Sequence, residues 1–233
     1  MNTYTLEDFE AFPIIDGIRQ CPSGGYTAIR SFPSYCSFDA GCRFDAGCIF
    51  GAFCSFGAGC RFDAGCSFSA FCSFGAGCRF SAGCSFSASC RFNAGCSFSA
   101  GCIFGACCSF SAGCSFGARC SFGARCSFGA RCGFSTQCSF GTQCSFGARC
   151  GFEGYKAHPG YPLLTFGGAG SINRTVYAYN VEGGPLIRAG CFVGTLEEFR
   201  AKVRKDGDEM KSLQYLGFAN IVAATWCPER VEK

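Results

Sequence analysis

The chain of 233 residues is poor in several residue types that carry chemistry: one histidine, one tryptophan and two methionines. With His158 as its only imidazole, it has little material for histidine-based metal or acid–base clusters. It also lacks a long apolar run. The longest, GFANIVAATW at 217–226, falls well short of the ~18–20 residues that cross a bilayer as a helix, so no membrane span is expected. The opening MNTYTLEDFEAF has no charged-then-apolar export pattern, which makes a cytoplasmic setting the expectation. The net charge of +4 neither requires nor excludes a nucleic-acid partner, because steering depends on clustered charge.

What the chain has in excess is Gly (34), Phe (29) and Cys (24), far from average globular usage. The excess comes from one phrase: from Cys36 to Phe152 every sixth residue is Cys, with Phe two positions later, in twenty consecutive hexads such as CSFDAG and CRFDAG. Apolar residues two apart, with Ser, Arg or Gly between them, mark a strand with one buried face. A helix would spread the same pattern over all its faces. Short strands and turns at a fixed period predict a solenoid of parallel strands. The variable positions give its circumference. Tyr35, Phe53 and Phe71 recur at intervals of 18, as do Arg43, Arg61 and Arg79, and Ile49 and Ile103 lie three such intervals apart. Three hexads per coil follow, giving six to seven coils of triangular section with three Phe and three Cys inside each. The uniform spacing of six does not resemble the paired knuckles of structural zinc sites, so the cysteines read as reduced, small buried side chains. No metal or cofactor is expected.

The hexad resembles that of the left-handed parallel β-helix, with Cys in the small slot and Phe in the apolar slot where Ile, Leu or Val is usual. Left-handedness is implied by this resemblance alone. The leader TLEDFEAF...RQCPSG, the C-x-F-G-x-x run and the segment GCFVGTLEEFRAKV together resemble a poorly characterised family of bacteriophage and prophage hexapeptide-repeat proteins. That resemblance implies a viral or mobile-element setting within a bacterial host.

Three regions are expected: an amino-terminal capping segment (1–35), the β-helix (36–155) and a small ββαα module (156–233). In the first, Thr5 and Asp8 form a capping-box pattern. In the last, Thr175–Val181 and Ile187–Val193 alternate around EGGP as a hairpin. Thr195 with Glu198 then opens a helix, and a second helix over about 208–225 is expected to face inward through Met210, Leu213 and Leu216. The glycine-rich FGGAGSIN at 166–173 lacks the ending of a phosphate loop and reads as a flexible connector.

No catalytic residue is expected. Hexapeptide acyltransferases share the repeat, and that alternative would rest on His158 in AHPGYP. The surface is more informative. From Cys108 to Phe152 there is no acidic residue, while Arg119, Arg125, Arg131 and Arg149, with Gln137 and Gln143, occupy position six of their hexads, where earlier repeats have Gly. They form a candidate collar for phosphates or an acidic protein surface, or else keep an exposed corner soluble. Arg43 and Arg61 are expected to pair with Asp45 and Asp63 on the same strands. Tyr35, Phe53 and Phe71, with Ile49 nearby, form a candidate apolar edge that either receives a partner or lies beneath residues 4–32. The chain thus reads as a non-enzymatic binding protein that engages a host protein or nucleic-acid complex, in the manner of a counter-defence inhibitor. A structural virion part or an ice-binding surface are further alternatives. Self-association could use the shaft faces or the carboxy-terminal module.

Overall fold

In a computed structural model, the residues described are 2–135, 137–141, 143–147, 150–152, 155–156, 163–169, 174–190, 192–206 and 209–227. The chain divides into two compact units, residues 1–154 and 155–233.

The first unit is a three-sided parallel β-solenoid of about seven coils. Every hexad supplies a two-residue strand at its second and third positions, and each strand pairs in parallel with the one eighteen residues on: Ser37 with Ser55, Arg43 with Arg61, Ile49 with Ser67. The three sheets are called here the Ser37, Arg43 and Ile49 faces. N–H groups of positions two and four donate to the carbonyls of positions one and three in the preceding coil, as Arg61 does to Cys42 and Gly57 to Phe38. Position six donates the other way, to the position-five carbonyl of the next coil, as Gly41 does to Ala58.

The phenylalanines fill the axis. Rings eighteen residues apart stack within 11° of parallel at centroid distances of 4.8–5.2 Å. Rings six apart meet edge to face at 4.9–5.3 Å. Both geometries suit the ring quadrupole, and stacked parallel strands impose nearly the same spacing on the rings.

The first 35 residues build the end of this shaft. Helix α1 (Leu6–Ala11) starts at the capping box of Thr5 and Asp8. Hydrogen bonds from Thr5 hold the Asp8 carboxyl below its ordinary pKa. Arg19 donates to the carbonyls of Phe9, Glu10 and Phe12, closing the other end of the helix. Strand Ile18–Cys21 extends the Ser37 face, and Ser31–Phe32 begins the Ile49 face. Tyr26, fully buried, takes a ring position in the axis: it stacks on Phe44 at 5.3 Å and hydrogen-bonds through its hydroxyl to the Pro22 carbonyl.

The second unit is larger than the expected ββαα. Four antiparallel strands, Leu163–Ala169, Arg174–Val181, Gly184–Ala189 and Phe192–Thr195, form one sheet. Helices α2 (Leu196–Asp206) and α3 (Glu209–Trp226) pack on it through Val176, Ile187, Phe199, Val203, Phe218 and Val222. Thr195 and Glu198 form the expected capping box. Two expectations are corrected. Residues 166–169 belong to a strand, since backbone pairing with Arg174–Val176 overrides the flexibility of two glycines; 170–173 lie outside the described residues. Leu213 points outward, 71% exposed, because Phe218 and Val222 set which face of α3 meets the sheet. Leu216 packs against the core as expected, and the side chain of Met210 lies outside the described residues.

Phe92 tests the axial packing. It stacks at 4.8 Å on both Phe74 and Phe110 and meets Phe86 and Phe98 edge-on at 5.0 Å. Phe92→Ala should destabilise the first unit by about 3–5 kcal/mol in urea unfolding, and Phe92→Leu by less. A loss below ~1 kcal/mol for the alanine variant would contradict this packing.

Candidate functional site

With Phe and Cys committed to the interior, a hexad can vary at positions two, four and six. Position six is the informative one. Its backbone is left-handed throughout the shaft, at φ near +70° where the residue is Gly, as in Gly41 and Gly59. Glycine takes this conformation freely, whereas an L side chain costs roughly 1–2 kcal/mol there. Even so, Tyr35, Phe53, Phe71, Ser89, Cys107, Arg119, Arg125, Arg131, Gln137 and Gln143 all adopt it, at φ between 59° and 62°.

Eighteen-residue register sorts these residues into columns. One corner carries Tyr35, Phe53, Phe71, Ser89, Cys107, Arg125 and Gln143, with no glycine at any described level. The other two corners hold Gly until Arg119 and Gln137 on one and Arg131 on the other. Arg119, Arg125 and Arg131 therefore stand on three different corners. The Arg119 Nε donates to Gln137 Oε1 at 2.9 Å and the Arg125 Nε to Gln143 Oε1 at 3.0 Å, so each arginine is steadied by the glutamine one coil later. Arg149 lies outside the described residues.

On the glycine-free corner Tyr35, Phe53 and Phe71 stack at 5.2 and 5.0 Å, and each is about half exposed. The amino-terminal segment does not cover them, because it is used to close the end of the shaft. It lengthens the apolar edge instead: Ile18 precedes Arg19, the partner of Cys36, just as Tyr35 precedes Cys36, and both Ile18 and its pairing partner Ile15 are exposed. Ile49 is also exposed but lies within the Ile49 face, between Ser31 and Ser67, rather than in the ring stack. Sequence reasoning found the aromatic triplet and the arginines separately. It missed that Ser89 and Cys107 join the triplet to Arg125 in one column, although the period of 18 carried that signal.

The ion pairs expected of Arg43 and Arg61 are not formed. Asp45 pairs with Arg30 of the amino-terminal segment at 3.8 Å, and neither same-strand pair comes within 4 Å. Position four begins the bend, so its side chain departs from that of position two. Thr27, Arg43, Phe44, Asp45, Arg61 and Asp63 line a cleft of about 320 Å³.

The cysteines do more than fill space. From Cys54 to Cys150 each Sγ donates to the position-four carbonyl twenty-one residues earlier, at 3.2–3.5 Å, as Cys84 does to Asp63 and Cys66 to Asp45. The thiol thus satisfies a carbonyl at the bend, which an alanine would leave without this donor. The Cys84 thiol is pushed up to about 12 by contact with the Cys102 thiol and by burial. Cys48 and Cys150 rise for the same reasons, through Cys66 and Cys132 respectively. Cys107 is exposed, at the corner. Among the described residues no group of three or more His, Cys, Asp or Glu is arranged to hold a metal ion. His158 and Cys191 lie outside them.

Comparison of the chain with protein-family models, with curated proteins and with solved structures yields no match.

Cys54, Cys78, Cys108 and Cys120 are drawn down by hydrogen bonds from thiols on the neighbouring coils, but those donors are raised in turn. With no cation beside any of them among the described residues, the buried thiols together keep their protons, which makes the shaft alkali-sensitive. An unfolded cysteine loses its proton near pH 8.5 while the folded one keeps it, so unfolding releases protons above that pH and stability falls as pH rises. Each such thiol removes about 1.4 kcal/mol per pH unit, so even five would offset most of a typical domain's stability within one unit. The urea midpoint should be flat from pH 6 to 8 and drop steeply between 8.5 and 10; a midpoint unchanged at pH 10 would refute this. In native protein at pH 8, alkylation mapped by mass spectrometry should modify Cys107 well before the buried cysteines that flank it, such as Cys84, Cys90, Cys108 and Cys126.

Proposed function

We propose that this chain is a non-enzymatic binding protein, phage- or prophage-encoded, that acts in the host cytoplasm by presenting its glycine-free corner to a host macromolecule. The observation that carries this reading is the left-handed backbone under large exposed side chains. Glycine serves the same turn on the other two corners over most of the shaft, so Tyr35, Phe53, Phe71 and Arg125 bring conformational strain while remaining outside the core and largely open to solvent. Strain retained where the fold does not need it is characteristic of functional surface. The corner is apolar at one end and cationic at the other, matching a partner with an exposed apolar patch beside acidic or phosphate groups. No Asp or Glu occurs between Ala64 and Phe152, a stretch with six arginines, so the carboxy-terminal half of the shaft attracts anions along its length. A protein or protein–nucleic-acid complex of the host meets these requirements, and inhibition of a host defence is the role in keeping with the resemblance to phage proteins.

The test uses the substitution that the backbone prefers. Arg119→Gly/Arg125→Gly/Arg131→Gly should fold with unchanged or higher stability, by up to about 1 kcal/mol per site, because the strain is relieved. Tyr35→Gly/Phe53→Gly/Phe71→Gly should also fold, since all three rings lie outside the axis. Affinity capture from bacterial lysate at ~0.15 M salt should then recover a partner with the parent chain and lose it with both variants. Identical recovery by all three proteins would refute a corner-based binding function.

A further inference from the structure

Away from the corners, the Arg43 face carries an unusual arrangement of charge. Arg43, Arg61 and Arg79 stand in register on three adjacent strands, in a column whose rings Phe44, Phe62 and Phe80 repeat at 4.8–4.9 Å. Like charges directly opposite one another on a sheet are unfavourable, and later coils place Ser97 and Ser115 in the same column. No ion pair relieves the repulsion: Asp45 is engaged by Arg30, and Asp63 lies beyond 4 Å from Arg61. Arg43 and Arg61 line the 320 Å³ cleft together with Asp45, Asp63 and Thr27.

We propose that this cleft binds a phosphorylated small molecule that also carries hydroxyl or amino donors, such as a nucleotide. The two guanidiniums on neighbouring strands, Arg43 and Arg61, bridge the oxygens of one phosphate. The adjacent carboxylates would repel a bare anion, but they accept hydrogen bonds from sugar hydroxyls or an exocyclic amine. Guanidiniums and carboxylates lining one cleft therefore select a ligand bearing both kinds of group. The cleft volume is at the lower end of small-molecule sites, enough for one such molecule. It lies where the regular coils meet the amino-terminal segment, to which Thr27 belongs and whose Gly24 carbonyl accepts from the Arg43 N–H.

Isothermal calorimetry on the full chain at ~0.15 M salt, with ADP, inorganic pyrophosphate and adenosine as probes, tests the assignment. ADP should bind saturably, pyrophosphate more weakly, and adenosine not at all. Arg61→Gln, an exposed change that removes one of the opposed charges, should leave the urea midpoint unchanged or raised and reduce ADP affinity at least tenfold. Asp63→Asn should weaken ADP while strengthening pyrophosphate. Absence of saturable ADP binding, or equal binding by Arg61→Gln, would overturn the site. Equal affinity for ADP and pyrophosphate in the parent chain would overturn the role given to Asp63. The corner glycine variants should bind ADP as the parent does, which separates this site from the macromolecular surface.

Discussion

The structure depends on one repeated contact, a benzyl ring held between identical rings one coil before and one coil after it. The 4.8–5.2 Å ring spacing is nearly the spacing of hydrogen-bonded strands, so side-chain stacking and the backbone ladder favour the same register. A slip of one residue would turn every ring outward, and the like residues that recur at 18 in the variable positions, Tyr35, Phe53 and Phe71 among them, set the circumference. The thiol adds a second lock. By donating to a position-four carbonyl in the preceding coil it ties the bend as well as the strand, and it does so with a side chain small and apolar enough to be fully buried. A hydroxyl would donate more strongly but would carry a larger desolvation cost at twenty sites.

Most of this was legible before any coordinates. Cys and Phe two apart required a strand with one buried face, and the recurrence of Tyr35, Phe53 and Phe71 fixed the circumference, since only stacked levels give like residues a reason to recur at 18. What escaped was directional. The sequence reports that Cys84 is small but not that its S–H reaches the Asp63 carbonyl, because the acceptor is a backbone atom twenty-one residues away. Asp45 looked like a partner for Arg43 by strand spacing, but the irregular amino-terminal segment brings Arg30 closer. Leu213 looked buried because α3 is apolar on nearly every side, so periodicity could not choose its inner face. Phe166–Ala169 looked like a linker because the strand it pairs with begins only after the glycines.

Position six shows a different kind of legibility. Its glycines announce a left-handed backbone, and the residues that replace them become informative only once that backbone is known to be shared. An arginine at a surface turn is ordinary; an arginine at φ +62° in a column position where four preceding coils use glycine is a departure that the fold does not demand. The candidate surface follows from that mismatch between local preference and observed residue.

The same regularity also limits where small-molecule chemistry can occur. Identical coils stacked in register present flat faces and convex corners, which suit contact with another macromolecule but offer no concavity. A cleft requires a break in the repeat, and in the first unit the sharpest break among the described residues is where the amino-terminal segment meets the first coils. There Thr27 and Arg43 line one cleft, and there the chain places arginines and carboxylates at positions that in later coils carry mostly Ser and Gly. Corner and cleft thus arise from the two ways a solenoid can depart from uniformity: altering residues along one column, which leaves the backbone intact, or interrupting the coil itself. The first yields an extended contact surface and the second a bounded site.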